Sequence, residues 1–183
     1  MTAPSTELSV PGYQAATWNI DAAHSEVGFS VRHMMVSKVR GKFDTFSGQF
    51  VTGEDPLGSS VTAEIELASI NTGNEQRDEH IRSADFFEVE KHQKMTYRST
   101  GVRVSDGEYV LDGELTIKGI TKPVELSGIV RGPVPVPNHD GSSSDRLGLD
   151  LTTTVNRRDF GLTGEGGAAD DVTVEVSLEL VAQ

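Results

Sequence analysis

The chain has 183 residues, 36% of them hydrophobic and 24% charged, an ordinary composition for a protein able to bury a core of useful size. It contains no cysteine, which excludes disulfides, thiol catalysis and cysteine-ligated zinc or iron–sulfur sites. Its formal net charge of −12 opposes binding to phosphate backbones and electrostatic docking on anionic membranes, and no run approaches the ~18 apolar residues of a membrane span.

The opening MTAPSTELSVPGYQ lacks both the basic and the apolar region of a signal peptide. Residues 1–16 are therefore expected to be a flexible lead-in to a single domain over 17–183. A cytoplasmic location is expected unless a leader was removed. The first clear strand signal is Val27 to His33, with Phe29, Val31 and His33 on one side. Met34-Met35-Val36-Ser37 must turn the chain. Val39, Gly41 and Phe43 share a side of the next run. The apolar positions then switch parity to Phe46, Gly48 and Phe50, which predicts a bulge near Asp44-Thr45.

Val61, Ala63, Ile65 and Leu67 alternate with polar residues in the following strand. Gly73 to Glu90 is the one helical region. Thr72 with Glu75 three residues on fits a capping box, and Ser83 is placed to cap a second short turn. Ile81, Ala84, Phe86 and Phe87 form its buried side. Alternation resumes over Met95 to Val104, Tyr109 to Ile117, Val124 to Val130, Leu147 to Val155 and Val172 to Leu180. Asp106-Gly107 reads as a tight hairpin. Pro133 to Ser144, rich in proline, glycine and serine, is expected to be the longest unstructured connection.

About eight strands, each with one apolar face, are antiparallel, since buried parallel strands would be apolar throughout. They must close into a barrel or stack as a sandwich. Several exceed the usual sandwich length, which favours an eight-stranded antiparallel barrel with room for side chains or one slender ligand. Small residues on the apolar side (Gly41, Gly48, Ala63, Gly113, Gly128) fit either a cavity or strand curvature, and the sequence leaves both open.

Catalytic patterns are weak. None of the five histidines pairs at helical i, i+4 spacing, and HExxH is absent, so a metal site has no support. Asp21, His24 and Ser25 are the residue types of a hydrolase triad but lack a nucleophile elbow. Gly164 to Asp170 is glycine-rich without the following helix that a phosphate-cradling loop needs. Asp85 with Glu88, and Asp170 with Asp171, have nothing in the sequence to push their pKa values apart.

Four blocks in order carry a family resemblance: WNIDAAHSEVGFSVRHMMVSKVRGKFDTFSG (18–48), INTGNEQRDEHIRSADFFEVEKHQKMTYRST (70–100), GELTIKGITKPVEL (113–126) and NRRDFGL (156–162). Together they resemble the YceI-like family of polyisoprenoid-binding, lipocalin-like proteins. The resemblance implies an all-β fold: an extended eight-stranded antiparallel lipocalin-like β-barrel with a short helical segment, about residues 73–90, after the fourth strand. It implies a long apolar tunnel for an isoprenoid lipid such as a polyprenyl phosphate or quinone tail, no other cofactor, no enzymatic role, no stable membrane insertion, and a possible homodimer.

On that resemblance the expected ligand walls are Phe29, Val31, Met35, Phe43, Phe46, Phe50, Met95, Leu115, Ile117, Leu149 and Leu151, with Ile81, Phe86 and Phe87 closing one end and His33 at the tunnel rim. The methionines would be adaptable apolar filler. Plain core is the competing role for each wall residue. Arg32, Arg77, Arg82 and Arg157 are head-group candidates, because a guanidinium suits a diphosphate; their competing role is to brace the fold against Asp78, Asp85 or Asp159. Two other functions compete: an enzyme acting on a small amphiphile with His33 or His80 as base, and a filled, ligand-free interaction module.

Overall fold

The computed structural model describes residues 12–183, so most of the expected lead-in lies outside the described residues. From Tyr13 onward the chain is tied down. The Tyr13 hydroxyl donates to the Gly53 carbonyl, and Gln14 Nε2 donates to Asp145 Oδ2 at 2.6 Å.

The elements in order are β1 (Ala16–Ile20), β2 (Glu26–His33), β3 (Ser37–Phe43), β4 (Phe46–Thr52), β5 (Ser60–Glu66), β6 (Ile70–Asn71), α1 (Glu75–Arg82), β7 (Lys94–Ser105), β8 (Glu108–Ile117), β9 (Ile120–Pro137), β10 (Ser143–Asn156) and β11 (Ala168–Ala182). Strands β1, β4, β5, β7, β8, β9, β10 and β11 pair side by side, and β11 closes back on β1 through Trp18 opposite Ala182. Every pairing is antiparallel. This is the closed eight-stranded antiparallel barrel that the strand lengths favour and the family resemblance implies.

The remaining strands extend three of the staves. β1 and β2 are one stave broken by a 3₁₀ turn at Ala22–His24, where Asp21 Oδ1 accepts from the Ala23 N–H. β3 and β4 are one stave broken at Asp44-Thr45, where parity was predicted to switch. There the Asp44 N–H donates to the Ser69 carbonyl and the Thr45 N–H to Ser69 Oγ, both at 3.0 Å. β5 and β6 are separated by a 3₁₀ turn at Leu67–Ser69. The helix falls in the gap where it was read, between the 61–67 run and the strand starting at Lys94; its ordinal depends on whether a broken stave counts once.

Four local expectations are corrected. Asn74, not Thr72, caps α1: its side chain accepts from the Arg77 N–H at 3.0 Å. Thr72 instead donates its N–H and hydroxyl to the buried Asp78 carboxylate. The α-helix ends at Arg82, and 83–92 continues as turns. The supposed loop at 133–144 is mostly hairpin, with Pro137 opposite Ser143 and Pro135 opposite Asp145. Pro133, Pro135 and Pro137 alternate, so their missing N–H groups fall on one side of β9. Beyond Gly128 that strand is paired only with β10, and a proline edge there costs no ladder bond. Finally, the first strand is β1, ahead of the Val27–His33 signal: Ala16, Trp18 and Ile20 alternate with Thr17 and Asn19 and pack on the core, but five residues make a short run.

The small inward residues are resolved individually. A Cβ at Gly113 would collide with the Tyr97 ring, and one at Gly41 with the Phe29 ring. These glycines accept an aromatic side chain lying over the strand, a known way to pack a coiled sheet. A Cβ at Gly128 would meet the Asp150 backbone. Of the five small residues, only Ala63 lines open space.

Two buried clusters bracket the barrel interior. One gathers Trp18, Val61, Leu147, Leu149, Leu178 and Leu180 at the end where β1 closes the ring. Trp18 is 1% exposed, and its Nε1 donates to Thr52 Oγ1 at 2.9 Å. The other gathers Phe43, Ile65, Leu67, Ile70, Phe87 and Phe160 beneath the helical segment.

Candidate functional site: an apolar cavity with a polar end

Between the two clusters lies a cavity of about 460 Å³. Its deep walls are apolar side chains at alternate strand positions, among them Val61, Ala63 and Ile65 of β5 and Val172, Val174, Val176 and Leu178 of β11. This size falls within the range of about 300–1,000 Å³ typical of small-molecule sites. A broader depression of about 570 Å³ involves Arg103, Asp106, Lys122 and Glu125. Those side chains are charged, so it lacks the apolar enclosure of the interior space.

The charged and ring-nitrogen groups of the interior wall gather at one end. There the tip of β2–β3, the helix α1 and the loop joining β10 to β11 converge, bringing His33, Ser37, Arg77, His80 and Arg157 to the wall. His33 Nε2 lies 3.0 Å from the Gly166 carbonyl oxygen, an acceptor, so Nε2 carries the ring proton. His80 Nε2 is 3.0 Å from Asp85 Oδ2, and its ring meets Phe86 edge-on at 5.2 Å. Among the described residues neither histidine is hydrogen-bonded to a serine or threonine side chain that it could activate.

Most expected wall residues stand on the cavity: Phe29, Val31, His33, Phe43, Phe46, Ile81, Phe86, Phe87, Met95, Leu115, Ile117, Leu149 and Leu151. Two do not. Met35 sits at the exposed tip of the β2–β3 hairpin, 87% exposed, because the turn places it beyond the last inward position of β2. Phe50 lies past the deep end, against a separate space of about 60 Å³ shared with Tyr13 and Leu147.

The four arginines divide as well. Arg32 is exposed on the outer side of β2, one residue out of phase with Val31 and His33. Arg82 is off the wall; it donates to the carbonyls of Ala68 and Ile70 and to Glu75 Oε1 at 3.1 Å. Arg157 is on the wall, but its donors are occupied by backbone carbonyls: Nε to Ala169 at 3.0 Å, Nη1 to Leu162 at 2.6 Å and Gly164 at 3.0 Å, and Nη2 to Ala168 at 3.2 Å. Arg77 is on the wall with Nε and Nη2 donated to Thr72, while Nη1 has no hydrogen-bond partner among the described residues.

Tyr97 was not among the expected wall residues, although its position in the alternating Met95–Val104 run marks it as inward. Its hydroxyl lies 3.2 Å from the Leu111 carbonyl and 3.1 Å from that of Val124. Burial, aided by Asp112 and Glu125, pushes its pKa far above the usual phenol range, so it is a neutral donor to the barrel backbone.

The triad-like residues at the start of β2 serve another purpose. Arg146 Nη1 lies 2.7 Å from both Asp21 Oδ2 and Glu179 Oε1, and Asp21 Oδ2 is 2.9 Å from His24 Nδ1. Asp21, His24 and Glu179 are close enough together to suggest a cation site, but a guanidinium already supplies the positive charge there. The hydrogen bond that His24 donates to Asp21, seconded by the charges of Asp21 and Glu179, raises the His24 pKa above 6.5. Folded His24 thus holds its proton more tightly than the unfolded chain does. Its contribution to stability is complete below about pH 6.5 and lost as pH rises through the raised folded value. Between about pH 5.5 and pH 9, wild type is expected to lose melting temperature more steeply than His24→Gln. Thermal melts across that range check this, and parallel slopes would show that the pair contributes nothing.

Comparison with known proteins matches this architecture. A family model described as the YceI-like domain matches residues 18–180. A UPF0312 protein of Pseudomonas putida (strain W619) is 34% identical over 181 residues, covering 96% of this chain and 92% of that protein. The crystal structure of the Campylobacter jejuni YCEI protein superposes with a TM-score of 0.70 at 27% identity, covering 90% of this chain and 96% of that one. A polyisoprenoid binding domain from Saccharophagus degradans, implicated in plant cell wall breakdown, superposes with a TM-score of 0.66 at 18% identity, covering 93% and 100%.

Proposed function

This chain belongs to the YceI-like domain family, and from that membership we propose that it binds a long, thin isoprenoid-type lipid inside its barrel as a carrier, store or sequestering protein. The observation that carries the reading is the interior space of about 460 Å³, apolar along its depth and bearing its charged groups at one end. A hydrocarbon chain fits such a wall without leaving a polar group unpaired. Burial gains ~0.8 kcal/mol per CH₂-sized group, so two or three isoprene units supply the ~8 kcal/mol of micromolar binding before ordering costs. The name of the Saccharophagus degradans domain points to the same ligand class.

In this reading Phe29, Phe46, Leu115 and Leu149 contact the tail. The head group lies at the polar end near His33, Ser37 and His80, within reach of the Arg77 Nη1 donors. A second reading draws on the His80–Asp85 pair: an enzyme acting on a small amphiphile, with His80 as base. Turnover of an amphiphile that disappears in His80→Ala while binding persists would favour it.

Prenyl alcohols of increasing length, titrated against a fluorescent apolar probe, test the binding reading. Affinity is expected to rise at least about tenfold per added isoprene unit over the first two or three units, then level off as the cavity fills. An affinity independent of chain length would overturn it.

A further inference from the structure

The tip of the β2–β3 hairpin is the most exposed apolar cluster among the described residues. Met34, Met35 and Val36 are 66%, 87% and 85% exposed. Single exposed apolar residues need no explanation, but three in a row at a projecting tip do. The backbone makes the choice of residues more pointed. Met34 and Met35 both have positive φ, 50° and 59°, and the Val36 N–H donates to the His33 carbonyl at 3.0 Å. This is the tight hairpin turn whose two central positions favour Asn-Gly, because side chains are strained there. The chain bears that strain and keeps two methionines in water.

The hairpin is also the charge exception in an acidic protein. From Phe29 to Phe43 there is no acidic residue, while Arg32, Lys38, Arg40 and Lys42 are present and exposed. Arg32 stands directly opposite Lys38 across the strands, a like-charge juxtaposition that stability alone disfavours. Among the described residues Arg32, Lys38 and Arg40 have no ion pair. The nearby acids are partly occupied: Asp170 and Glu165 engage Arg158 at 2.6 and 3.5 Å, and Asp171 is exposed. With a formal net charge of −12 overall, a basic hairpin is an orienting device toward an anionic surface.

The tip also adjoins the polar end of the cavity. The Met34 N–H donates to the Gly167 carbonyl at 2.8 Å, next to the His33–Gly166 contact on the cavity wall. From these observations we propose that the Met34-Met35-Val36 tip, with Arg32, Lys38 and Arg40 behind it, docks reversibly on an anionic lipid bilayer. The docked orientation places the polar end of the cavity at the membrane surface, where a lipid tail can pass between bilayer and barrel. Apolar side chains backed by basic residues are the combination that holds a peripheral element at such an interface. Electrostatic docking, disfavoured by the net charge of the whole chain, is thereby confined to one hairpin. The proposal rests on the lipid-binding reading for its purpose but not for its test.

The test is flotation with phosphatidylcholine vesicles, with and without about 30 mol% phosphatidylglycerol, at low and high salt. Wild type is expected to float with the anionic vesicles and to be released by salt. The double variant Met34→Asn/Met35→Gly gives the turn its preferred residues, so its melting temperature should hold or rise while vesicle affinity falls about tenfold or more. Lys38→Glu/Arg40→Glu should lower affinity by a similar factor for anionic vesicles only. Failure of wild type to float, or equal flotation of wild type and both variants, overturns the proposal; the first result would assign the tip to a protein partner. Prenyl-alcohol titration without vesicles separates the two ideas. Met34→Asn/Met35→Gly should retain wild-type affinity there, and a failed titration with intact flotation would remove the cavity reading while leaving docking in place.

Discussion

Replacing Arg157 by methionine is expected to destabilise the protein by about 3 kcal/mol or more, the largest loss from any single side chain near the polar end of the cavity. Arg157 is 6% exposed and donates to four backbone carbonyls, those of Leu162, Gly164, Ala168 and Ala169. These carbonyls belong to the loop between β10 and β11 and to the first residues of β11. Hydrogen bonds from a charged donor contribute about 1.5–3 kcal/mol each, non-additively, and carbonyls left buried without a donor add their desolvation cost. Phe86, whose ring centroid lies 5.8 Å from the guanidinium carbon, would lose its cationic neighbour as well. Arg157→Lys keeps the charge but not the planar fork and should fall between the two. Denaturant unfolding measures the loss, and hydrogen exchange should show residues 161–169 opening first. By contrast, Arg32→Ala, on the exposed outer face, should change stability by no more than about 0.5 kcal/mol. If Arg157→Met unfolded like wild type, the bracing role would be wrong and a head-group role would regain its place.

Filling the cavity is expected to abolish ligand binding without unfolding the barrel. Ala63 lies on β5, opposite Gly48 of β4 and Tyr97 of β7, with its methyl on the cavity wall. Ala63→Trp adds a large ring where there is space. It should therefore avoid most of the 1–3 kcal/mol that overpacking costs in a filled core. Prenyl-alcohol affinity should fall by about a hundredfold or more, since the ring removes the volume the chain would occupy. Val176→Phe, entering the same space from β11, is an independent second obstruction. If both variants retained wild-type affinity with unchanged melting temperature, the ligand would not lie inside.

Much of the fold was legible because an antiparallel barrel writes its inner face into every second residue. Val61-Ala63-Ile65 and Val172-Val174-Val176-Leu178 alternate plainly, and all of them line the interior. The parity switch from Phe43 to Phe46 located the break between β3 and β4 from sequence alone. Those same positions are nonetheless missing from the expected walls, which take phenylalanines and aliphatic residues of other strands, although parity already carries the signal.

What was not legible falls where periodicity gives out. Met35 lies in a turn, beyond any alternating strand, and its apolar character argued for a wall it does not join. The 133–144 segment resembles a loop because proline, serine and glycine together make up most of its composition. Pairing depends on which side the prolines' missing N–H groups face, and composition does not report that. Asn74 and Thr72 both had the chemistry of a cap, and the choice was made by Asp78, whose buried carboxylate takes the Thr72 donors. The bracing role of Arg157 depends on carbonyls 5 to 12 residues further along the chain, which no side-chain pattern announces.

The central claim is that an isoprenoid chain occupies the barrel, and the most direct measurement is mass spectrometry of the lipid extracted from protein purified from its native host. Close to one equivalent of an isoprenoid-type lipid per wild-type chain is expected, and little or none from Ala63→Trp prepared in parallel. Wild-type protein that yields no lipid, and whose melting temperature does not move when prenyl alcohols are added, would contradict it.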